Sequence, residues 1–385
     1  MNASQDTSIA VIGGGPGGLT LARVLQRHGV SCTVFEREGS VPARSQGGTL
    51  DMQADTGQLA LRVAGLLAEF LARSRPEGQD SRMLDKTGQI LLEHHAAPGE
   101  QDKPEIDRGQ LRDLLLDSLA PGSVRWHCDV RSISEHSTGG YAIHLADGST
   151  HLADVVVGAD GAWSKVRPLL SSATPEYTGL TFVEIHLADV DERHPDLAEL
   201  VGNGTTFALG DGKGLLAQRN SGSHVRVYAS LRVPEDWART CGIDFADVAA
   251  ARTALRGYFS GWAPKLLALI DAGDKEFVPR PLYALPFPHT WTTRPGVTLL
   301  GDAAHLMSPF GGHGANLAML DGAELGIALA EAIKTGVPLD DAIAKYESVM
   351  QPRGAAAAEE AASGIDTVSS LDAIHNALQY FGENA

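Results

Sequence analysis

Three glycine-rich strings hold the residues whose spacing could do chemistry. The first is Gly13-x-Gly15-x-x-Gly18, set between a short apolar run and a helical one. In that setting the first glycine makes a turn, the second admits a pyrophosphate to the backbone, and the third lets helix and strand pack closely. The helix N-terminus then faces the phosphates. Glu36 follows Gly18 by 18 residues, at the end of the next apolar run. A carboxylate there accepts hydrogen bonds from ribose hydroxyls. The pattern points to a dinucleotide and does not separate FAD from NAD.

The second string is Gly301-Asp302-Ala303-Ala304-His305, followed by Pro309-Phe310-Gly311-Gly312-His313-Gly314-Ala315-Asn316. It reads as a second diphosphate and isoalloxazine cradle. Asp302 can accept from a ribityl hydroxyl, with helix capping as the alternative. The amides of Gly314, Ala315 and Asn316, at a helix N-terminus, can face a pyrimidine oxygen and stabilise negative charge. His305 reads more simply as a packed or capping imidazole. The third string, Asp160-Gly161-x-x-Ser164-x-Val166-Arg167, reads either as an ordinary strand-to-helix turn or as a loop near the pyrophosphate.

The elements that must position these strings follow from periodicity. Apolar runs at 9–12, 32–35 and 297–300 read as buried parallel strands. Helical spacing covers 19–27, 51–71, 107–119, 246–258, 264–272, 314–333 and most of 340–385. Asp147-Gly148 joins a hairpin of strands over 141–145 and 151–157. From 181 to 233 strands dominate, over 182–188, 205–209, 215–219 and 224–233. The order is an α/β start, a strand-rich insertion and an α/β return. That suits a nucleotide-binding domain interrupted by a substrate domain.

Composition narrows the class. The 385 residues carry 31 Lys and Arg against 48 Asp and Glu, a formal charge of −17, which argues against a nucleic-acid partner. Cys32, Cys128 and Cys241 are too few and too scattered for a CxxC dithiol, a zinc site or a disulfide framework. No metal site is expected. No basic leader and no long uncharged apolar stretch occur, so the expectation is a cytoplasmic protein without a membrane.

The three strings occur in order as GGGPGG at 13, GADGAWSKVR at 158 and GDAAHLMSPFGGHGAN at 301. In this the chain resembles the para-hydroxybenzoate hydroxylase-like, class A flavoprotein monooxygenases over nearly its whole length. Within that group it is most similar to the tetracycline-inactivating flavin monooxygenases, through Glu36-Arg37, the stretch ARSQGGTLD at 43–51, and PEIDR at 104–108. The resemblance implies a Rossmann-like FAD-binding domain (1–77, 103–172 and 296–352), an inserted β-rich substrate domain (78–102 and 173–295) and a C-terminal bridging helix (353–385). It implies FAD as cofactor and NADPH or NADH as reductant. Glu36 and Arg37 would hold the adenosine end, Arg108 and Asp302 the diphosphate or ribityl chain, and Asp51 would lie near the flavin. Arg44 would lie where the nicotinamide arrives, and Asp160 and Arg167 near both cofactors.

The implied reaction is hydroxylation of a polycyclic phenol or enol through a C4a-hydroperoxyflavin, with no catalytic acid–base residue of the protein's own. Tetracycline inactivation is one form of it and aromatic polyketide tailoring another. A flavin oxidase or dehydrogenase that inserts no oxygen is the alternative of another class. Aligned by eye, substrate positions held by glutamine and arginine in the tetracycline enzymes fall on His186 and Thr206, and a further one on Arg226. Pro309, Phe310 and Gly311 complete the expected substrate set. The implied partners are the small substrate and dioxygen, and the implied state a monomer.

Overall fold

The computed structural model describes residues 7–39, 47–370 and 374–376. Its first strands are β1 (Ile9–Ile12), β2 (Thr33–Phe35), β3 (Thr49–Asp51), β4 (Ser81–Asp85), β5 (Ile90–His94) and β6 (Glu105–Asp107). Then come β7 (Val124–Arg125), β8 (Val130–Glu135), β9 (Tyr141–Leu145), β10 (Thr150–Ala153) and β11 (Val155–Gly158). The inserted region supplies β12 (Glu176–Leu187), β13 (Thr205–Gly210), β14 (Lys213–Asn220), β15 (His224–Arg232) and β16 (Val278–Ala284), and β17 (Val297–Leu299) returns to the first sheet. The helices are α1 (Pro16–Arg27), α2 (Gly57–Ala64), α3 (Leu67–Leu71), α4 (Arg108–Asp117), α5 (Val190–Arg193) and α6 (Pro195–Val201). They continue with α7 (Trp237–Thr240), α8 (Val248–Tyr258), α9 (Pro264–Asp271), α10 (Asp302–His305), α11 (His313–Thr335) and α12 (Leu339–Ser369).

Two sheets dominate. A five-stranded parallel sheet runs β17-β11-β1-β2-β7, and β1 and β11 are buried at every position, as strands covered on both faces must be. A seven-stranded sheet runs β16-β12-β15-β14-β13-β4-β5, antiparallel except where β13 meets β4. One core surrounds the parallel sheet, and another fills the space between the seven-stranded sheet and α6, α8 and α9. α12 touches β17 of the first sheet and β14 and β15 of the second. This is the α/β architecture with a strand-rich insertion and a long last helix that the sequence implies.

Three departures from the sequence reading have a plain physical cause. The helix expected over 51–71 is broken. Asp51 ends β3, α2 begins at Gly57, and Gly65 stops it in the left-handed region at φ 69° before α3. The strand expected over 151–157 is two strands in different sheets: β10 pairs with β9, and β11 with β1. The switch falls at Asp154, whose carboxylate accepts from the Ser8 amide and hydroxyl at 2.8 Å each. β16 covers residues to which the sequence reading gave no element; its two prolines, which remove ladder donors, are tolerated because it lies at a sheet edge.

α1 and α11 touch backbone to backbone at Gly17 and Gly322, while Leu21 and Val24 pack between them at Gly326. A Cβ at Gly17 would lie 2.5 Å from the Ala318 carbonyl oxygen, and one at Gly322 would lie 2.3 Å from that of Gly17. This contact brings the N-terminal end of α1 beside the 300–318 segment.

Candidate active site

The first cradle lies between β1 and α1. A Cβ on Gly13 would meet the Ala159 carbonyl oxygen at 2.3 Å, and one on Gly18 would meet that of Gly13 at 2.2 Å. These two glycines let backbones touch. Gly15 differs: a Cβ there would meet nothing within 4 Å, and its φ of −76° suits any residue. It opens onto space just ahead of α1, whose first-turn amides have no partner within the helix. Glu36 follows β2 and borders this space. Its Oε2 accepts the Gly14 amide at 2.7 Å and its Oε1 the Glu38 amide at 2.8 Å. Each oxygen keeps a lone pair for a further donor.

The second cradle adjoins the first, because Gly17 packs on Leu300 and Ala318. Asp302 opens α10 and is exposed. A Cβ on Gly314 would find only the Asp302 Oδ1, at 4.0 Å. α11 starts from Gly312 at φ 69° with no side-chain cap, so its first amides face the same opening. Behind it, Asp321 on α11 is fully buried. It accepts from the Gly301 amide at 3.0 Å, pairs with His305 Nε2 at 2.6 Å and accepts from Arg353 Nη2 at 2.9 Å. Burial alone would push the Asp321 carboxyl up, but the His305 and Arg353 charges hold it below the ordinary range. His305 is therefore a packed imidazole that fixes the turn bearing Asp302.

The remaining cofactor candidates divide. Asp51 lies by the second cradle, where a Cβ on Gly312 would be 3.0 Å from its Oδ1. Burial pushes its carboxyl up to about 6. Asn316 is buried, and its side chain binds protein instead of facing the opening. Nδ2 donates to the Asp51 and Gly312 carbonyls at 2.8 and 3.1 Å, and Oδ1 accepts the Gln53 and Gly57 amides at 3.0 and 3.2 Å. It thereby ties α11 to the start of α2, while Ala315 lies beside it in the first turn of α11. Arg108 opens α4, is exposed, and approaches Gly47 to within 3.1 Å of where a Cβ would be. Arg37 is exposed past the end of β2. Arg44 lies outside the described residues. Asp160 has one buried oxygen without a partner, Oδ1, while Oδ2 accepts the Lys165 amide at 2.6 Å. Arg167 is buried and donates to the carbonyls of Ala162, Ala173 and Ala303, so it braces α10 and does not reach outward.

Strand alternation sorts the substrate candidates. On β12, Phe182, Glu184 and His186 share one face, and Val183 and Ile185 lie in the core on the other. Arg226 on β15 stands opposite His186 and opposite Gln218 on β14. A Cβ on Gly48 would be 2.8 Å from both Gln218 Oε1 and Tyr228 Oη, so this sheet face meets the loop before β3. The Phe310 ring stands edge-on to Phe182 at 6.0 Å, with Pro309 and Gly311 exposed on either side of it. Thr206 does not join them. It pairs with Ala217, on the core side of the sheet, and its hydroxyl donates to the Leu200 and Val201 carbonyls at 3.3 and 3.1 Å. The one-residue parity of the strand turns it away.

Sequence reasoning missed Glu184, Gln218, Tyr228 and Arg280 on this face. The lone carboxylate in the apolar strand TFVEIHL was the available signal. Glu184 is buried and bonded by Arg226 Nη1 and, at 3.0 Å, by Arg280 Nε; His186 Nε2 lies 3.2 Å away. Burial would raise its pKa, but these partners bring it down to about 2.

Two glycine cradles that adjoin where Gly17 packs on Leu300 and Ala318, one bordered by Glu36 and the other by Asp302, define a dinucleotide-binding α/β protein whose far end opens on a polar sheet face. Residues 6–237 and 290–361 match the model of the FAD binding domain family. The monooxygenase penA of Penicillium thymicola is 32% identical, over 92% of this chain and 93% of its own. The aurachin C monooxygenase/isomerase of Stigmatella aurantiaca is 30% identical, over 90% and 85%. Among solved structures, Klebsiella pneumoniae HpxO complexed with FAD and uric acid superposes with a TM-score of 0.81 at 23% identity, covering 99% of this chain and 93% of that one. Tetracycline destructase Tet(51) gives 0.70 at 21%, covering 98% and 95%. The chain belongs to the FAD-binding monooxygenase family.

Proposed function

We propose that the protein uses NADPH or NADH to reduce its FAD and inserts one oxygen atom of O2 into an electron-rich carbon of a small polycyclic phenol or enol. The observation that carries this reading is the joined cradle, open at Gly15 and Gly314, that ends at Gly48 and Phe310 against the Arg226, Gln218 and Tyr228 face. FAD when bound supplies the two-electron reduction and the activation of dioxygen. The chain's own residues bind, orient and exclude water. Glu36 and Arg37 take the adenosine end, and the amides before α1 take the diphosphate. Asp302 and Arg108 hold the ribityl chain, and Asp51 and the α11 N-terminus border the ring. Phe182 and Phe310 wall the substrate side, and Arg226 and His186 meet the substrate's oxygens.

Thr206 faces the core and His186 is engaged by Glu184, so the polar set differs from the glutamine–arginine pair expected for tetracycline. This favours an aromatic or polyketide tailoring hydroxylase over tetracycline inactivation. Three free cysteines suit a reducing compartment such as the cytoplasm, and no helix among the described residues is long and apolar enough to cross a membrane.

The test is stopped-flow NADPH oxidation by the FAD-loaded protein with candidate polycyclic phenols and with tetracycline, under 18O2. Substrate-stimulated oxidation with one labelled oxygen in the product supports the reading. Turnover with no label in product makes it an oxidase or dehydrogenase, and failure to bind FAD removes the reading altogether.

A further inference from the structure

We infer that the substrate face reads the neutral N–H and C=O edge of a lactam fused to an aromatic ring, through the Gln218 carboxamide and the Tyr228 hydroxyl. This rests on the proposed substrate face and adds the chemical class of the group it holds. Cross-strand register lays the face out. His186 of β12, Arg226 of β15 and Gln218 of β14 stand side by side, and Glu184, Tyr228 and Leu216 form the next row. The charges in these rows are spent on one another. Glu184 receives a bond from Arg226 and, at 3.0 Å, one from Arg280, and His186 Nε2 lies 3.2 Å from it. Arg226 and Glu184 are a buried pair of opposite charge, their side chains 11% and 5% exposed, while Arg280 stands half in solvent, which screens it. An anion entering here would compete with Glu184 for Arg226.

Gln218 and Tyr228 carry the uncommitted polar groups of the face. Among the described residues, neither the Gln218 carboxamide nor the Tyr228 hydroxyl has a hydrogen-bond partner, and both side chains are half-buried. Both converge on Gly48, where a Cβ would stand 2.8 Å from Gln218 Oε1 and from Tyr228 Oη. Any side chain at that position would cover the pair, so the glycine keeps it open. Gly48 leads into β3, which ends at Asp51 by the second cradle, so the pair lies on the reaction side. Burial pushes the Tyr228 hydroxyl up, so it stays protonated and donates. A carboxamide offers a donor and an acceptor in one plane. A lactam presents the complementary N–H and C=O and takes two parallel bonds, where a ketone or a phenol takes one. A carboxylic acid has the same shape but ionises, and its charge then meets that of Glu184. Tyr228 gives the lactam carbonyl a second donor. The Phe182 ring, 5.6 Å from that of Tyr228 and 6.0 Å from that of Phe310, walls the aromatic part.

The experiment is calorimetric titration of the FAD-loaded protein, without reductant, with 2-quinolone and with coumarin. The two probes are neutral and nearly isosteric, and coumarin has a ring oxygen in place of the N–H. The wild type is expected to bind 2-quinolone at least ~10-fold more tightly, the ratio that about 1.4 kcal/mol gives and within the worth of one hydrogen bond. Gln218→Leu should bring that ratio down toward one. Tyr228→Phe should weaken both probes alike and leave the ratio standing, because both keep the carbonyl. A merely structural role for Gln218 would weaken both probes in Gln218→Leu without changing their ratio. Equal affinities in the wild type, binding of neither probe, or an unchanged ratio in Gln218→Leu would overturn the inference. If Gln218→Leu does not fold, the wild-type ratio and the Tyr228→Phe pair decide it. Selectivity is read without turnover, so a protein that prefers 2-quinolone but oxidises no NADPH loses the monooxygenase reading and keeps this one.

Discussion

Replacing Gly15 by alanine should separate FAD binding from folding. The new methyl meets no atom within 4 Å, and φ −76°, ψ 175° is ordinary extended backbone. The ligand-free protein should therefore keep its stability or gain about 0.4–1 kcal/mol, because alanine restricts the unfolded chain. The methyl does occupy the space through which a pyrophosphate approaches the amides of α1. A hydrogen bond to a charged group is worth about 1.5–3 kcal/mol. Losing one weakens FAD roughly 10- to 150-fold, at about 1.4 kcal/mol per tenfold. Gly18→Ala is the opposite case. Its methyl would stand 2.2 Å from the Gly13 carbonyl oxygen, a backbone atom that cannot turn aside. Overpacking of that kind costs about 1–3 kcal/mol and should lower the melting temperature with or without FAD. The assays are thermal unfolding of both ligand-free variants and fluorescence titration with FAD. Wild-type FAD affinity in Gly15→Ala, or a large loss of its ligand-free stability, would refute the cradle.

Gly322→Ala should lower the melting temperature, because its methyl would lie 2.3 Å from the Gly17 carbonyl oxygen. Gly257→Ala in α8, with nothing within 4 Å, should leave the melting temperature unchanged or raise it. Asp321→Ala strands the buried His305 and leaves Arg353 with Glu324 alone. A loss of about 3–5 kcal/mol in denaturant unfolding is expected, together with weaker FAD retention as the Asp302 turn loosens. Asp51 sets a pH dependence in the ligand-free protein. Its carboxyl is raised from 3.8 to about 6, so the unfolded chain ionises first and stability falls as pH rises across that interval. Asp51→Asn should remove this fall, read as a flatter plot of melting temperature against pH between about 4 and 6.

The backbone geometry of the proposed cofactor cradle was legible because phosphate-binding turns are local. A turn, an open backbone and a helix N-terminus come from adjacent residues, so Gly13, Gly15, Gly18 and Gly301–Asp302 announce themselves by spacing. Glu36 was legible because strand β2 places it at a fixed distance along the chain. The glycines at 17 and 322 were not, since each answers to a backbone some three hundred residues away. Asn316 entered the reading through its main-chain amide; the commitment of its side chain to Asp51, Gly312, Gln53 and Gly57 was not legible, because those partners lie in other parts of the fold.

The substrate half shows the complement. Sequence showed strands over 182–188 and 205–209, but strand pattern alone left the facing of His186 and Thr206 open. Register decided it: Thr206 pairs with Ala217 and turns to the core, whereas His186 pairs with Arg226 beside Gln218 and Tyr228. The Glu184 cluster draws its arginines from β15 and from β16, elements 42 and 96 residues away in the chain. What the sequence determined by itself was the binding of a dinucleotide and the α/β order that carries it, because those depend on contiguous backbone. What only the tertiary structure decided was which polar side chains share the reaction face, because period-2 alternation and cross-strand register are set by packing against the rest of the chain.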